Sequence, residues 1–274
     1  MDRSKYPLVS VVVPTYNQAR YLEACLDSIM FQDYPNLEII VVADPSKDNT
    51  FELLDAYKKK LKQDKVLYVA GYSVENSQII RKEELRYPQS GRKLVIIKNK
   101  NRLGHSKSYN LGFKIAKGKY CTYVASDDIL LPNMISTLVD VLINEDVDFV
   151  YSDMFIIDDM MHILRHFKLP DYNFEQCFCK WYFCGVSKLY KRILHEKYGY
   201  FNEDYIANDY ECYLRFAMNG VKFKHIPKVL YLVRSHQQRE EGVHSKENHS
   251  KLLKESCELA LKARNLNKNL VKLR

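Results

Sequence analysis

Two adjacent aspartates, Asp127 and Asp128, come directly after a run of mostly β-branched, aromatic and small residues that begins at Cys121. Such a run predicts a buried strand with the pair at its charged end. In open α/β sheets ligands bind beyond the carboxyl ends of strands, where paired carboxylates can hold a hard divalent cation against a phosphate. The same residues could instead cap a helix that begins near Leu131 and Pro132, since Asp and Pro favour helix starts. From this stretch alone, helix capping is the simpler interpretation.

The elements before this stretch alternate between strand and helix patterns. Leu8 to Val13 and Leu37 to Ala43 are nearly continuous apolar runs, which is typical of parallel strands buried on both faces. Apolar residues at helical spacing follow each run, from Leu22 to Met30 and from Phe51 to Leu61. This alternation predicts an α/β fold with a mostly parallel central sheet and a nucleotide-sized crevice at its carboxyl edge.

The pattern continues with one interruption. Residues 67–91 mix tyrosines with charges and show no clean period, so we expect an insertion there. A third apolar run, Lys93 to Lys98, then precedes a predicted helix that begins at about Ser106 and closes at Gly118 as a glycine C-cap. Val147 to Tyr151 predicts a further strand.

The second half carries another aspartate at a predicted helix start. Residues 206–220 have apolar positions at helical spacing, with Asn208 and Asp209 near the beginning and Gly220 at the end.

Two further strands are predicted at Val221 to Ile226 and Val229 to Val233, and they lead to Arg234 and His236. A basic amphipathic helix is predicted from Lys246 onward.

Composition limits the classes of protein. A chain of 274 residues, 46% hydrophobic and 28% charged, can bury one large α/β core. No apolar run approaches the roughly 18 residues of a membrane helix, and the N-terminus lacks the apolar stretch of a signal peptide, so we expect a cytoplasmic protein. Seven cysteines, an odd number, predict reduced thiols. The net charge of +8 suits phosphorylated ligands or an anionic membrane, and no motif indicates nucleic acid.

Five segments together resemble the inverting nucleotide-sugar glycosyltransferases of family 2, which have the GT-A fold. The resemblance covers roughly Val9 to His236. It implies a metal-dependent transfer of a sugar to a hydroxyl of a glycan, glycolipid or glycoprotein, as in polysaccharide biosynthesis, with Mn²⁺ or Mg²⁺ as cofactor. The segments are VSVVVPTYNQARYLEACLDSI, IIVVADPSKDNT, LGHSKSYNLGFKIAKGKYCTYVASDD, YGYFNEDYIANDYECYLRFAMNG and YLVRSH.

The resemblance assigns a nucleotide site to the first half. Residues matching Thr15, Tyr16 and Asn17 lie at the nucleotide in that family, and the residue matching Asp44 accepts a hydrogen bond from the base. An aromatic ring offers a stacking face and a carboxylate accepts an imide N–H, so UDP is favoured and dTDP is possible. Taken alone, Tyr16 could be a packing residue and Asp44 a turn former. Family members usually have a second acidic residue where this chain has Ala43.

Asp127 and Asp128 match the metal motif of the family, usually Asp-X-Asp and here SDD. By resemblance, Asp127 reaches the ribose and Asp128 binds the ion that bridges the diphosphate and acts as a Lewis acid. Arg234 and His236 match a late motif that closes over the diphosphate, where His236 could complete the metal shell. A solvated loop is the alternative for these last two residues.

The helix start at Lys107 resembles the one that faces the nucleotide in this family, with Arg102 and His105 as further donors near phosphate. A solvated basic helix start is the alternative.

Asp209 matches the catalytic base, the second member of an acidic pair that here reads Asn208-Asp209. It would take the proton from the acceptor hydroxyl while that oxygen attacks the anomeric carbon from the face opposite the leaving diphosphate, which inverts the centre. A helix N-cap is the alternative for Asp209. Glu211 is a second candidate base, but its offset of two residues points it elsewhere on the helix.

Trp181, Cys184 and Gly185 match the segment that faces the acceptor in relatives. Aromatic rings stack well on sugar faces, although a tryptophan in the core is the alternative.

We therefore expect one GT-A domain over residues 1–245, with 1–130 binding the nucleotide sugar and 131–245 supplying acceptor contacts and the base. Residues 246–274 would form a basic helix that could rest on the inner face of a membrane.

Two rival functions remain. A non-catalytic sugar-nucleotide-binding or scaffold protein with the same fold is conceivable, because Ala43 and Asn208 depart from the family pattern. A nucleotidyltransferase is less expected, since residues 14–20 contain no glycine for a phosphate loop.

Overall fold

The structure is a computed structural model and describes residues 6–76, 78–180, 182, 185–236 and 246–272. The helices are α1 (Ala19–Met30), α2 (Thr50–Gln63), α3 (His105–Ile115), α4 (Met134–Asn144), α5 (Ile193–Tyr198), α6 (Asn208–Met218) and α7 (Lys246–Lys272), and a π-helical turn covers Glu175–Lys180. The strands are β1 (Val9–Thr15), β2 (Leu37–Ala43), β3 (Lys65–Ser73), β4 (Gln78–Leu85), β5 (Arg92–Lys98), β6 (Tyr120–Tyr123), β7 (Ile129–Leu130), β8 (Phe149–Ile157), β9 (Ile163–Phe167), β10 (Lys188–Lys191) and β11 (Phe223–Arg234).

The main sheet has the strand order β5-β2-β1-β6-β10-β8-β11-β7, and β9 pairs with β8. Strands β5, β2, β1 and β6 are parallel to their neighbours in that half. β10 then runs antiparallel between β6 and β8, and β11 is parallel to β8. The predicted α/β fold is confirmed, and its continuous parallel half places the carboxyl ends of β1, β2 and β6 at one edge.

The central strands are buried because their sequences are apolar on both faces. Every residue of β1 and β2 is buried, as the continuous apolar runs predicted. Helix α3 packs so closely on β1 that a Cβ at Gly112 would lie 2.2 Å from Cγ1 of Val12. This contact needs glycine, and it fixes the start of α3 beside the carboxyl edge of the sheet.

Two sequence predictions need correction. Helix α3 ends at Ile115, so Gly118 is not its C-cap; a Cβ at Gly118 would lie 2.6 Å from the backbone nitrogen of Ser10. Glycine is therefore needed here for close approach to β1. The two strands predicted between Val221 and Val233 form one strand, β11. Its pairing with β8 is irregular between Ile226 and Tyr231, where the sequence suggested a break.

The segment predicted as an insertion forms a hairpin of its own. β3 and β4 pair antiparallel in a separate two-stranded sheet, and every residue of β4 is exposed. β3 has one charged residue, Lys65, whereas β4 has four in a row, Arg81 to Glu84, so neither strand alternates between apolar and polar positions and no single period was visible in the sequence.

Helix α7 packs on the second half of the main domain. Leu259 and Ala263 are buried, and Nε of Arg264 donates to the carbonyl of Cys179 at 2.6 Å. Within the described residues, no helix is both long enough and apolar enough to span a bilayer.

Candidate active site

A cleft of about 580 Å³, measured to its open mouth, lies at the carboxyl ends of β1, β2 and β6. Its walls come from the turns after these strands and from the first turns of α3. Four of the predicted nucleotide-site residues lie here, namely Thr15, Tyr16, Asp44 and Asp127. The remaining lining residues are Pro14, Gln18, Arg102, Gly104, His105, Ser108, Tyr109, Ala125 and Ser126.

The end of β1 presents polar atoms to this cleft. Oγ1 of Thr15 and Oε1 of Gln18 are buried and have no hydrogen-bond partner among the residues that the structure describes. Because such atoms are costly to leave unsatisfied, they are suited to hydrogen bonds with a ligand. Gln18 was missed by sequence reasoning, and its position at the N-cap of α1 was the only available signal.

Tyr16 and Asn17 differ in their surroundings. The guanidinium of Arg102 lies 4.0 Å from the centre of the Tyr16 ring, so the two side chains form a stacked wall. Asn17 has a φ of 53°, and its Oδ1 accepts from the backbone N–H of Lys47 at 2.7 Å. Its own N–H donates to Oγ of Ser46 at 3.0 Å, so Asn17 joins the turns after β1 and β2. Asn17 is not among the residues that line the cleft.

The Asp44 carboxylate organises the loop before α3. Its Oδ2 accepts from the backbone N–H groups of Leu103 and Gly104 at 3.0 and 2.9 Å. Its Oδ1 accepts from Nδ2 of Asn99 at 2.8 Å. A carboxylate oxygen has two lone pairs, so Oδ2 is saturated by these bonds whereas Oδ1 has room for one more donor.

The start of α3 faces the cleft through His105 and Ser108, and Gly104 precedes it with a φ of 81°. Helix N-termini favour anions through their N–H groups and dipole. Lys107, the residue predicted here, is exposed and does not line the cleft.

The two adjacent aspartates point in different directions. Asp127 lines the cleft, and its Oδ2 lies 2.8 Å from Nε2 of His236. Asp128 is 0% exposed and accepts from the hydroxyl of Tyr231 at 3.0 Å and from the backbone N–H of Arg234 at 2.9 Å. The capping interpretation is wrong, because both aspartates contact β11 and the segment after it, and the N-cap of α4 is Asn133.

Arg234 supports this turn from behind. It is buried, its Nε donates to the backbone carbonyl of Asp127 at 3.0 Å, and its guanidinium lies 5.1 Å from the centre of the Tyr21 ring. The ring of His236 also packs against the ring of Tyr21, with ring centres 4.6 Å apart. Burial and a hydrogen bond to Asp159 raise the pKa of Tyr21, which keeps this ring neutral. Arg234 was predicted to bind the diphosphate. In the structure its side chain stabilises the backbone of the turn at Asp127 and Asp128.

The donor atoms at this turn fit a divalent cation. A carboxylate and an imidazole whose polar atoms lie 2.8 Å apart are close enough to share one ion, and Mn²⁺ accepts both ligand types. The described residues contain no cluster of three or more His, Cys, Asp or Glu suited to a metal. Such an ion would need oxygens from a diphosphate and water to complete its shell, which is the usual arrangement for Mg²⁺ with nucleotides.

Asp209 lies in the first turn of α6, surrounded by hydroxyl groups. Its Oδ2 accepts from the hydroxyls of Tyr123 at 3.2 Å and Tyr182 at 3.4 Å. Its Oδ1 accepts from the backbone N–H of Tyr210 at 2.7 Å. The helix has no side-chain N-cap, so the capping interpretation of Asp209 is also wrong.

Contacts from two other helices hold the start of α6. Nδ2 of Asn208 donates to Oγ of Ser106 in α3 at 2.6 Å. Oε2 of Glu255 in α7 accepts from the backbone N–H groups of Ile206 and Ala207 at 2.7 and 2.9 Å. Asn208, which departs from the family pattern, thus links α6 to α3, whose first turn lines the cleft. Glu255 stabilises the start of α6 and was not predicted from the sequence.

Glu211, the alternative base, is engaged elsewhere. Both of its carboxylate oxygens accept from the guanidinium of Arg215, at 3.1 and 2.9 Å, and that guanidinium also binds the carbonyl of Tyr200. The geometry therefore favours Asp209.

The predicted acceptor segment is only partly described. Trp181 and Cys184 lie outside the described residues. Gly185 has a φ of 57°, and a Cβ there would lie 2.5 Å from Cε of Met154, so it serves close packing. Tyr182 stacks on Tyr210 with ring centres 4.7 Å apart and was missed by sequence reasoning.

A model of glycosyl transferase family 2 matches residues 10–72 and 60–199. The chain therefore belongs to glycosyl transferase family 2, and the resemblance noted in the sequence is confirmed.

Individual relatives agree with this assignment. Glycosyltransferase GlyG of Streptococcus pneumoniae is 34% identical over 152 residues, which cover 56% of this chain and 40% of that protein. An uncharacterized glycosyltransferase of Rickettsia prowazekii is 31% identical over 232 residues, covering 80% of this chain and 62% of the relative. The chain thus spans less than two thirds of the length of either relative.

Solved structures share the fold. TarS 1-349 of S. aureus in complex with UDP-GlcNAc has a TM-score of 0.62 at 20% identity, covering 84% of this chain and 59% of that one. The mannosyltransferase PcManGT of Pyrobaculum calidifontis in complex with GDP-Man and Mn²⁺ has a TM-score of 0.58 at 22% identity, covering 85% and 58%. The predicted GT-A fold is confirmed.

Proposed function

We propose that this chain is an inverting glycosyltransferase that uses a nucleotide-sugar donor and a divalent cation. The observation that carries the proposal is the cleft at the carboxyl ends of β1, β2 and β6, which has the Asp44 carboxylate in one wall and the Asp127–His236 pair in another. Family membership and the two neighbours solved with nucleotide sugars support it.

The hydrogen bonds of Asp44 favour a pyrimidine base. Uracil and thymine present a single imide N–H, which the one remaining lone pair of Oδ1 can accept. Guanine presents two adjacent donors and would need two available acceptors, but Oδ2 already accepts two backbone N–H groups. UDP is the proposed nucleotide, with dTDP second. Thr15 and Gln18 would supply further polar contacts.

Asp127 and His236 are the proposed metal ligands. The sequence assigned Asp128 to the metal and Asp127 to the ribose. The full burial of Asp128 and its hydrogen bonds from Tyr231 and Arg234 move our proposal for the metal ligand to Asp127, which lines the cleft. The bound Mn²⁺ or Mg²⁺ would supply positive charge to the diphosphate leaving group. Arg234 would keep the turn in place by holding the carbonyl of Asp127.

Asp209 is the proposed catalytic base. Its carboxylate would take the proton of the acceptor hydroxyl while that oxygen forms a bond to the anomeric carbon and the bond from this carbon to the diphosphate oxygen breaks. A single displacement of this kind inverts the anomeric centre. The N-terminal end of α6 favours the ionised carboxylate that the step requires.

The acceptor is proposed to be a hydroxyl of a glycan, glycolipid or glycoprotein, as in polysaccharide biosynthesis, with the protein in the cytoplasm. Contact with a membrane would have to use the exposed basic side of α7, because Leu259 and Ala263 are buried against the protein.

Thermal unfolding with UDP, dTDP or GDP, each with and without Mn²⁺, tests the donor site. We expect UDP to raise the melting temperature in the presence of Mn²⁺ and to lose this effect in Asp127→Asn. Asp140→Asn, an exposed change on α4, is the matched control. Mn²⁺-dependent hydrolysis of UDP-GlcNAc would then separate an enzyme from a protein that only binds the nucleotide. Stabilisation by none of the nucleotides would contradict the proposal.

A further inference from the structure

A lysine lies in the middle of the sheet with no exposure to solvent. Lys188 begins β10, between β6 and β8, and is 0% exposed. Transfer of an ammonium group from water into a protein interior is strongly unfavourable unless partners compensate for the lost hydration. An apolar side chain would fill such a strand position at lower cost. The charge of Lys188 therefore calls for an explanation.

The contacts of Lys188 point toward Asp209. Its Nζ lies 3.6 Å from the centre of the Tyr123 ring, and 3.5 Å from the carbonyl oxygen of Gly185. A cation over an aromatic ring is attracted by the ring face, and more strongly when water is excluded. The hydroxyl of the same tyrosine donates to Oδ2 of Asp209 at 3.2 Å. Lysine, tyrosine ring and aspartate thus form a continuous series of contacts.

This arrangement has an electrostatic consequence. A positive charge over a phenol ring draws electron density from the hydroxyl and makes it a better hydrogen-bond donor. A stronger donor to Oδ2 stabilises the ionised form of Asp209 and fixes the direction of its carboxylate. Tyr182 contributes a second hydroxyl at 3.4 Å and the backbone N–H of Tyr210 reaches Oδ1, while Glu211 on the same helix is paired with Arg215.

We propose that Lys188 is a positioning residue that acts through Tyr123 to keep Asp209 ionised and oriented. The inference rests on the proposed function, in which Asp209 is the base. Lys188 does not touch the reacting atoms, and its effect depends on the tyrosine hydroxyl. Nothing in the sequence separates Lys188 from the surface lysines, because only the sheet places it beneath Tyr123.

A double-mutant cycle tests the transmission. Lys188→Met removes the charge at similar volume, Tyr123→Phe removes the hydroxyl and keeps the ring, and Lys191→Met is the control on the same strand. With UDP-GlcNAc hydrolysis in Mn²⁺ as the assay, each of the first two changes should move the acidic limb of the pH profile of kcat upward by about one unit, so that kcat on that limb falls about tenfold while KM stays within about twofold. The double variant should match Tyr123→Phe alone. Multiplied effects, or an unchanged kcat in Lys188→Met, would overturn the proposal.

A second measurement does not depend on turnover. Carboxyl ¹³C NMR of aspartate-labelled protein, with Asp209 assigned through Asp209→Asn, follows the titration of this group. Its midpoint should rise in Lys188→Met and in Tyr123→Phe; an unmoved midpoint in both would disprove the role of Lys188. An inactive wild-type protein, or full activity in Asp209→Asn, would instead count against the proposed function. If Lys188→Met does not fold, Lys188→Gln, which also lacks the charge, replaces it in both measurements.

Discussion

The turn at Asp127 and Asp128 and the start of α6 at Asp209 both carry acidic side chains, but the chain holds them differently. The turn is fixed by two residues of β11: Arg234 contributes its backbone N–H to Asp128 and its guanidinium to the carbonyl of Asp127, and the hydroxyl of Tyr231 donates to Asp128 at 3.0 Å. Oδ1 of Asp209 accepts a short bond from the backbone N–H of Tyr210 at 2.7 Å, whereas Oδ2 accepts from side-chain hydroxyls at 3.2 and 3.4 Å, which are longer and weaker contacts.

The difference corresponds to two kinds of chemistry. A carboxylate that holds a cation must stay ionised and fixed in direction, and the partners of the turn supply both conditions. A base must accept a proton and return it, so it benefits from donors that can adjust. The following predictions test this contrast, from the largest expected effect to the smallest.

Asp209→Asn should lower kcat for sugar transfer or donor hydrolysis by about 10²- to 10⁴-fold, because the amide cannot take a proton. Stabilisation by UDP with Mn²⁺ should persist, since Asp209 does not line the nucleotide cleft. Steady-state kinetics and thermal unfolding check the two parts. Loss of nucleotide binding together with turnover would show that Asp209 takes part in donor binding, as proposed for the turn at Asp127 and Asp128.

Asp127→Asn should weaken UDP binding in the presence of Mn²⁺ by about 10- to 100-fold, because the side chain loses its charge toward the ion. Isothermal titration calorimetry with and without Mn²⁺ measures this effect. Binding in the absence of metal should change much less. An equal loss in both conditions would indicate a ribose contact, as the sequence suggested, and not a metal ligand.

Asp128→Asn should act on stability. An amide cannot accept from both the Tyr231 hydroxyl and the Arg234 N–H without leaving its own NH₂ group buried, so the free energy of unfolding should fall by about 1–3 kcal/mol. Urea unfolding measures the change, with Asp127→Asn as the neighbouring comparison. If Asp128→Asn kept full stability and lost metal binding, the two aspartates would exchange roles.

Acid should destabilise the packing beneath α6 more than the turn at Asp127 and Asp128. Burial lowers the pKa of His195 to about 3, and its ring packs against Phe113 and Phe216 beneath α6. Because the unfolded chain binds this proton near pH 6.5, the free energy of unfolding should fall by about 1.4 kcal/mol per pH unit as the pH drops from about 6.5 toward 3. Urea unfolding at several pH values, compared with His195→Phe, isolates the effect. Equal slopes in both proteins would exclude it.

Much of the fold could be predicted because local patterns specified it. The apolar runs of β1 and β2 and the helical spacing after them identify parallel strands with crossover helices. The end of α3 was missed, since Gly118 serves a contact with Ser10 that no local signal reveals. The hairpin of β3 and β4 was visible only as a loss of periodicity, because both of its faces are exposed.

The sequence by itself determined which chemical groups are present and which strand ends carry them: Asp44 after β2, the two aspartates after β6, and Asp209 at a helix start. Only the tertiary structure decided which aspartate of the pair faces the cleft. Neighbouring side chains in a turn point in different directions, and the partners that bury Asp128 come from β11, a strand about a hundred residues later in the chain. The same holds for Lys188, whose contact with Tyr123 exists only because β10 inserts beside β6.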